Sequence, residues 1–244
     1  FEEIIALKID VEEETKIKIE KVKESLATTG LQNEPGSIIY SGNKTLVKGD
    51  FYFLGQNPGG NDEKKYGEDT ILKQLIESGE HNEYTQGNWS GYSGRRHQAN
   101  IKEMFKDLSV DINKIFSTNL SFIRSGHTGT YPGGNEKLKE HYDLFWPIHE
   151  YFLSIVKPKI IISNGAAPRE FLKKNYLQNK SGYDEKILDK LYQSRKQKRT
   201  SFNGTINIYD EKLNVRILSI FHLSKWEYKD YKKGVDWLKS KINS

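Results

Sequence analysis

The chain has no cysteine in 244 residues. That excludes disulfides, thiolate zinc sites and iron–sulfur clusters together, and makes an intracellular, cytoplasmic protein the simplest expectation. No apolar stretch approaches the roughly 20 residues needed to span a bilayer, and no signal peptide is read at the start, so a membrane is not expected as a partner. Neither a Walker loop nor the dinucleotide fingerprint is present, which argues against nucleoside-triphosphate and dinucleotide chemistry. Internal repeats and low-complexity segments are missing too. Charge of one sign is not in large excess: 38 Lys and Arg stand against 33 Asp and Glu, a net charge of +5. A balance that mild does not establish a polyanionic partner, and the placement of the basic residues matters more than their sum.

What is present fits one large domain with a substantial core. Aromatic residues make up 12% of the chain, which would suit stacking on bases, although ordinary packing accounts for most of them. Residues 13–29 read as a charged amphipathic helix with Ile19, Val22 and Leu26 on one face. Residues 1–48 are expected to form an N-terminal helical arm packed on a single domain that spans 1–244. Strands are read at 51–54, 114–120 and 159–163, with a hairpin at 205–220. Helices are read around Ile101–Leu108, over 136–156 with a kink at Pro147, around 184–193, and at the end through Tyr231, Val235, Leu238 and Ile242. Alternation of this kind predicts an α/β fold, three layers deep, with a central, mostly parallel four-stranded sheet.

The richest segment is Gly55-Gln56-Asn57-Pro58-Gly59-Gly60, which leaves the apolar run Phe51-Tyr52-Phe53-Leu54. A buried strand opening into such a loop brings backbone amides close to a ligand, with Asn57 at the tip, and strand ends are where open α/β sheets bind ligands. A tight turn is the bland alternative. Two further strand ends carry complementary groups: Asn119 after the second strand, and His222 after the last. An amide suits the edge of a base, and a histidine donor suits an oxygen on which charge develops.

In this order and spacing the motifs resemble those of the uracil-DNA glycosylase superfamily. Its first motif is GQDPYH in one branch and GINPG or GMNPG in others, and GQNPGG at 55–60 looks like a blend. Phe116-Ser117-Thr118-Asn119 is similar to its base-reading motif, and His222-Leu223-Ser224-Lys225 to its last, usually HPSP. Ile160-Ile161-Ile162-Ser163-Asn164-Gly165-Ala166-Ala167 resembles the family's third core strand and small-residue turn. The resemblance covers roughly residues 50–240.

It implies a monofunctional DNA glycosylase without metal or other cofactor, acting on DNA as a monomer. The enzyme would flip uracil or a 5-substituted pyrimidine and hydrolyse its N-glycosidic bond, in repair or in defence against modified phage DNA. Asn57 would position the water and His222 would meet the charge on the leaving base. Gln56, Gly59 and Asn119 would line the base, with Tyr66, Trp89 or Tyr92 stacked on it. Gly165, Ser224, Lys225, Arg95 and Arg96 would face DNA, and Trp226 is either a wedge or a helix-packing aromatic. The segment 61–97, including His97, either reads the substituent or is a surface insertion, and Arg195–Arg199 either touches phosphate or is a solvated face.

Departures from the family pattern carry expectations of their own. Asn at 57 cannot take a proton from water at ordinary pH, so slower catalysis is expected. Gly59 stands where one branch has Tyr, which predicts room for a larger base. Leu223 and Lys225 replace prolines beside His222. Two other readings remain: a DNA-binding module of the same fold without the chemistry, and a hydrolase or transferase of free nucleosides or nucleotides.

Overall fold

In the run Phe51–Gly55, successive side chains point to opposite sides of the backbone, and both sides are covered. Tyr52 and Leu54 enter one apolar cluster and Phe53 enters another. The same division holds for Ile161 against Ile160 and Ile162, and for Ile217 against Leu218 and Ile220. A sheet with two buried faces follows, and it explains why these strands are continuously apolar. In the computed structural model, residues 2–60, 69–77, 79–89, 91–126, 130–187, 198–225 and 227–244 are described.

The sheet is mixed, with strands β1 (Phe51–Gly55), β2 (Phe116–Asn119), β3 (Ile160–Asn164), β4 (Leu177–Ile187), β5 (Lys198–Ile208) and β6 (Glu211–Ile220) in the order β2-β1-β3-β6-β5-β4. It has six strands, not the four expected. The first four in that order pair in parallel, whereas β6–β5 and β5–β4 pair antiparallel. The helix expected over 184–193 is corrected for residues 184–187, which belong to β4; 188–193 lie outside the described residues. Two register shifts break the alternation of β4 between Gln178 and Asp184. Such bulges hide a strand from its sequence pattern.

Helices flank both faces. One face holds α1 (Glu2–Thr29), α2 (Ile71–Glu77) and α4 (Gly134–Val156), which contribute Val22, Leu26, Ile71, Phe145 and Phe152 to one cluster. The other holds α3 (Gly91–Asp107) and α6 (Tyr228–Ile242), with Ile101, Phe105, Val235 and Leu238. A short helix, α5 (Ala166–Phe171), follows β3. α4 continues through Pro147 as one helix. The N-terminal segment is more than a helical arm. Gly36 and Ile39 bridge to Ile123 and Thr118, and the Tyr40 amide donates to the Ser117 carbonyl, so this stretch covers the open edge of β2. Covering an edge strand removes a template for unwanted pairing.

Chain order explains where a site belongs. From β1 the chain moves outward to β2 and then returns across β1 to β3, so the loops after β1 and β3 leave in opposite directions. The crevice between them is the topological switch point of an α/β sheet. No helix among the described residues is long and apolar enough to cross a membrane.

Candidate functional site

All four parallel strands end on the same edge of the sheet, which brings the exits of β2, β1, β3 and β6 side by side. Past β1, the parallel pattern continues as the Leu120 and Ser121 amides donate to the Gly55 and Gln56 carbonyls, each at 3.0 Å. The loop is closed by the Ser125 amide, which donates to the Pro58 carbonyl, and by Arg124, whose Nη1 donates to the Gly59 carbonyl at 2.7 Å. Asn57 is half-buried and donates from Nδ2 to the Pro58 carbonyl at 2.9 Å and the Ser125 carbonyl at 3.1 Å. With both amide protons engaged, the group Asn57 offers to a ligand is its carbonyl oxygen, an acceptor.

Asn119 is buried opposite Gly55, and its Oδ1 lies 2.0 Å from where a β-carbon on residue 55 would be. With the amide in this position, residue 55 has no room for a β-carbon. Behind it, His149 of α4 takes a hydrogen bond from the Tyr52 hydroxyl at Nδ1 (3.1 Å) and donates from Nε2 to the Leu120 carbonyl (3.2 Å). Burial holds His149 down to about 4, so it stays neutral and braces the β2 exit. Gln56 is half-buried beside the Tyr142 hydroxyl, which burial pushes up to about 12 against the opposing pull of the Gln56 side chain. Gly59 is exposed, and a β-carbon there would meet nothing within 4 Å among the described residues.

At the other end, His222 follows β6 and packs on Gly165, where a β-carbon would lie 3.5 Å from its ring. Gly165 has φ +106° and ψ 179°, a conformation that is essentially glycine's alone. The Ser224 hydroxyl lies 2.8 Å from His222 Nδ1, and the Ser224 amide, which can only donate, points at the same nitrogen from 3.4 Å. Nδ1 is thereby assigned as the bare nitrogen and Nε2 as the protonated one. Burial, with the Lys225 ammonium nearby, pushes His222 down to about 4. The site therefore presents a neutral imidazole with an N–H to give.

The loop beneath His222 is pinned from several sides. Tyr231 donates to the His222 carbonyl at 2.8 Å and accepts from the Lys225 amide at 3.0 Å. Asn100 donates to the Leu223 carbonyl at 2.7 Å, and Arg96 to the Ser224 carbonyl at 2.7 Å. Arg96 also pairs with Glu227 at 3.8 Å, so this guanidinium is engaged within the protein. Arg95 and Lys225 are exposed.

Trp89 sits in an aromatic row, 5.6 Å from Tyr84 and 5.4 Å from His97 between ring centroids, with its indole N–H on Glu83. It is half-buried, packed against the apolar cluster on that face of the sheet. Tyr66, Trp226 and Arg195–Gln197 lie outside the described residues, as does the side chain of Tyr92. Arg199 is buried on β5, where it donates to the Lys233 carbonyl at 2.8 Å, so it is not part of a solvated face.

His149 and Asn164 were not legible as site residues. His149 is one position in an aromatic helix face, and Asn164 is part of a small-residue turn. The signal that could have found Asn164 is its place at a strand end, beside His222 in the sheet. No protein-family model matches the chain, and no curated protein matches it.

Proposed function

We propose that the chain is a monofunctional DNA glycosylase that takes a flipped uracil or 5-substituted pyrimidine and hydrolyses its N-glycosidic bond, in repair or in defence against modified phage DNA. The uracil-DNA glycosylase-like, three-layer architecture is part of this reading. One observation carries it: an acceptor-only Asn57, a buried Asn119 and a neutral donor at His222 stand at the ends of β1, β2 and β6, on one edge of the sheet around the switch point. Neighbouring strands are spaced about 4.8 Å apart, so the β1 and β6 exits are separated by about 10 Å, the scale of one nucleotide.

In the reaction, the bond from the sugar carbon to the base nitrogen breaks and its electron pair leaves with the base. Charge then develops on the base oxygens, and an Nε2–H aimed at one of them strengthens as that happens. Asn57 Oδ1 accepts a hydrogen bond from the water whose oxygen adds to the sugar carbon. Because an amide does not take up a proton, the water's proton passes to solvent, and the barrier rests on the leaving base rather than on a strong nucleophile. Asn119 would read the base edge. The lack of neighbours around Gly59 among the described residues supports acceptance of a bulky 5-substituent.

The test is single-turnover base release from oligonucleotides bearing uracil, mismatched thymine or bulky 5-substituted pyrimidines. Release from one of them, reduced about 10²- to 10³-fold by His222→Ala and also reduced by Asn57→Ala, is the expected result. No release from any, with salt-sensitive DNA binding intact, would replace the reading with a non-catalytic binding module.

A further inference from the structure

His97 lies on α3, in a segment that carries none of the motifs, yet its ring packs against His222 in a tilted arrangement, with centroids 4.7 Å apart and planes inclined at 38°. Asn164 connects the two residues by a second route. Its Oδ1 accepts from the Leu223 amide at 3.1 Å, which fixes the orientation of the side chain, and its Nδ2 then faces His97 Nε2 at 3.0 Å. An amide nitrogen only donates, so His97 Nε2 must be bare and Nδ1 must carry the proton. The pair therefore consists of two neutral imidazoles in opposite tautomers.

We propose that His97 is a positioning residue for His222: its bare Nε2 locks the Asn164 amide, which clamps the Leu223 backbone, while its ring supports the face of the His222 imidazole. The inference rests on the glycosylase reading for what His222 does, but the clamp itself can be tested without turnover. Burial, and then the neighbouring His222, holds His97 well below the ordinary imidazole range, which keeps the accepting nitrogen bare. Among the described residues, Lys225 lies beside His222, and the Trp89 indole, held by Glu83, lies 5.4 Å from the His97 ring between centroids. Protonation of His97 would set two donors against each other at Asn164 and open the clamp.

Two substitutions separate positioning from bulk. His97→Gln leaves an oxygen where Nε2 stood and can still accept from Asn164; His97→Leu fills similar space and cannot. The first readout is ¹⁵N chemical shift of the histidine side chains in the full chain at pH 7.5. In the parent, His97 should show a pyridine-type Nε2, and His222 a pyridine-type Nδ1. The Gln variant should keep the His222 signature and the Leu223 amide shift, and the Leu variant should lose both. The second readout is base release, expected within about threefold of the parent for Gln and at least tenfold lower for Leu.

A parent His97 protonated at Nε2 would overturn the inference. So would a Leu variant whose His222 and Leu223 signals match the parent's. Expected spectra with no release from any oligonucleotide would leave the clamp standing and remove the glycosylase reading alone.

Discussion

Asn119 and Gly55 are direct partners across the parallel pair β1–β2, and the Asn119 amide oxygen occupies the place where a side chain on residue 55 would begin. The obstructing atom is the end of a side chain rather than backbone, so a methyl group there can be accommodated by turning the amide away. Gly55→Ala should therefore cost little stability, within about 1–3 kcal/mol for added bulk in a packed site. Base release should fall far more than the melting temperature does. Equal losses in thermal unfolding and single-turnover rate would show that Asn119 is structural only.

Gly165 supports His222 from below with a backbone geometry that other residues rarely adopt. Gly165→Ala forces either strain of about 1–3 kcal/mol or a shift of the loop. Chemical denaturation should register the destabilisation, and the His222 imidazole signals should move. Unchanged histidine signals would mean that the loop holds its shape without the glycine.

His149 and His222 are held neutral, each down to about 4, in the folded chain. Unfolded, each would titrate near pH 6.5, so the unfolded chain binds more protons below that value. Their stabilisation is complete above about pH 6.5 and declines as the pH falls toward about 4, by on the order of 3 kcal/mol for the fully buried His149 and less for half-buried His222. Urea unfolding at stepped pH should show this slope. His149→Gln should make it shallower, leaving the share of His222 and His97; an unaltered slope would assign the acid sensitivity to other groups.

Lys225 is exposed on the loop that carries His222. If that loop meets a phosphate, Lys225→Ala should weaken binding to an abasic duplex about equally across sequences. It should also reduce the magnitude of the salt slope by about one. A slope equal to the parent's would place the phosphate contacts elsewhere on the surface.

The parallel half of the sheet was legible because strands buried on both faces have no need to alternate: Phe51–Leu54 and Ile160–Ile162 are plain apolar runs. The extra strands were harder to read. β4 has few apolar positions besides Leu177, and its register shifts twice, so nothing periodic survives. Of the site, the residues at strand ends could be read because a strand end fixes their place in the sheet. The reach of His97 could not, since only the packing of α3 against the β6 exit brings residue 97 to residue 222. Arg96 is a second contact that its sequence setting does not show: a basic residue in a polar segment reads as a phosphate contact, and its Nη2 donates to the Ser224 carbonyl.

The division of the sheet into a parallel and an antiparallel half also sets the order in which it can form. β5 and β6 are joined by a two-residue turn at Tyr209-Asp210 and pair from Ile208↔Glu211 outward, a ladder that closes with almost no loop entropy. β1 must instead find β3 across more than a hundred residues, with Phe51 opposite Ile160. Long-range pairings of this kind are slow. The antiparallel strands should consequently serve as the nucleus, and the crevice should be the last part of the molecule to assemble, leaving the β3-facing edge of β6 open to association in a freshly made chain.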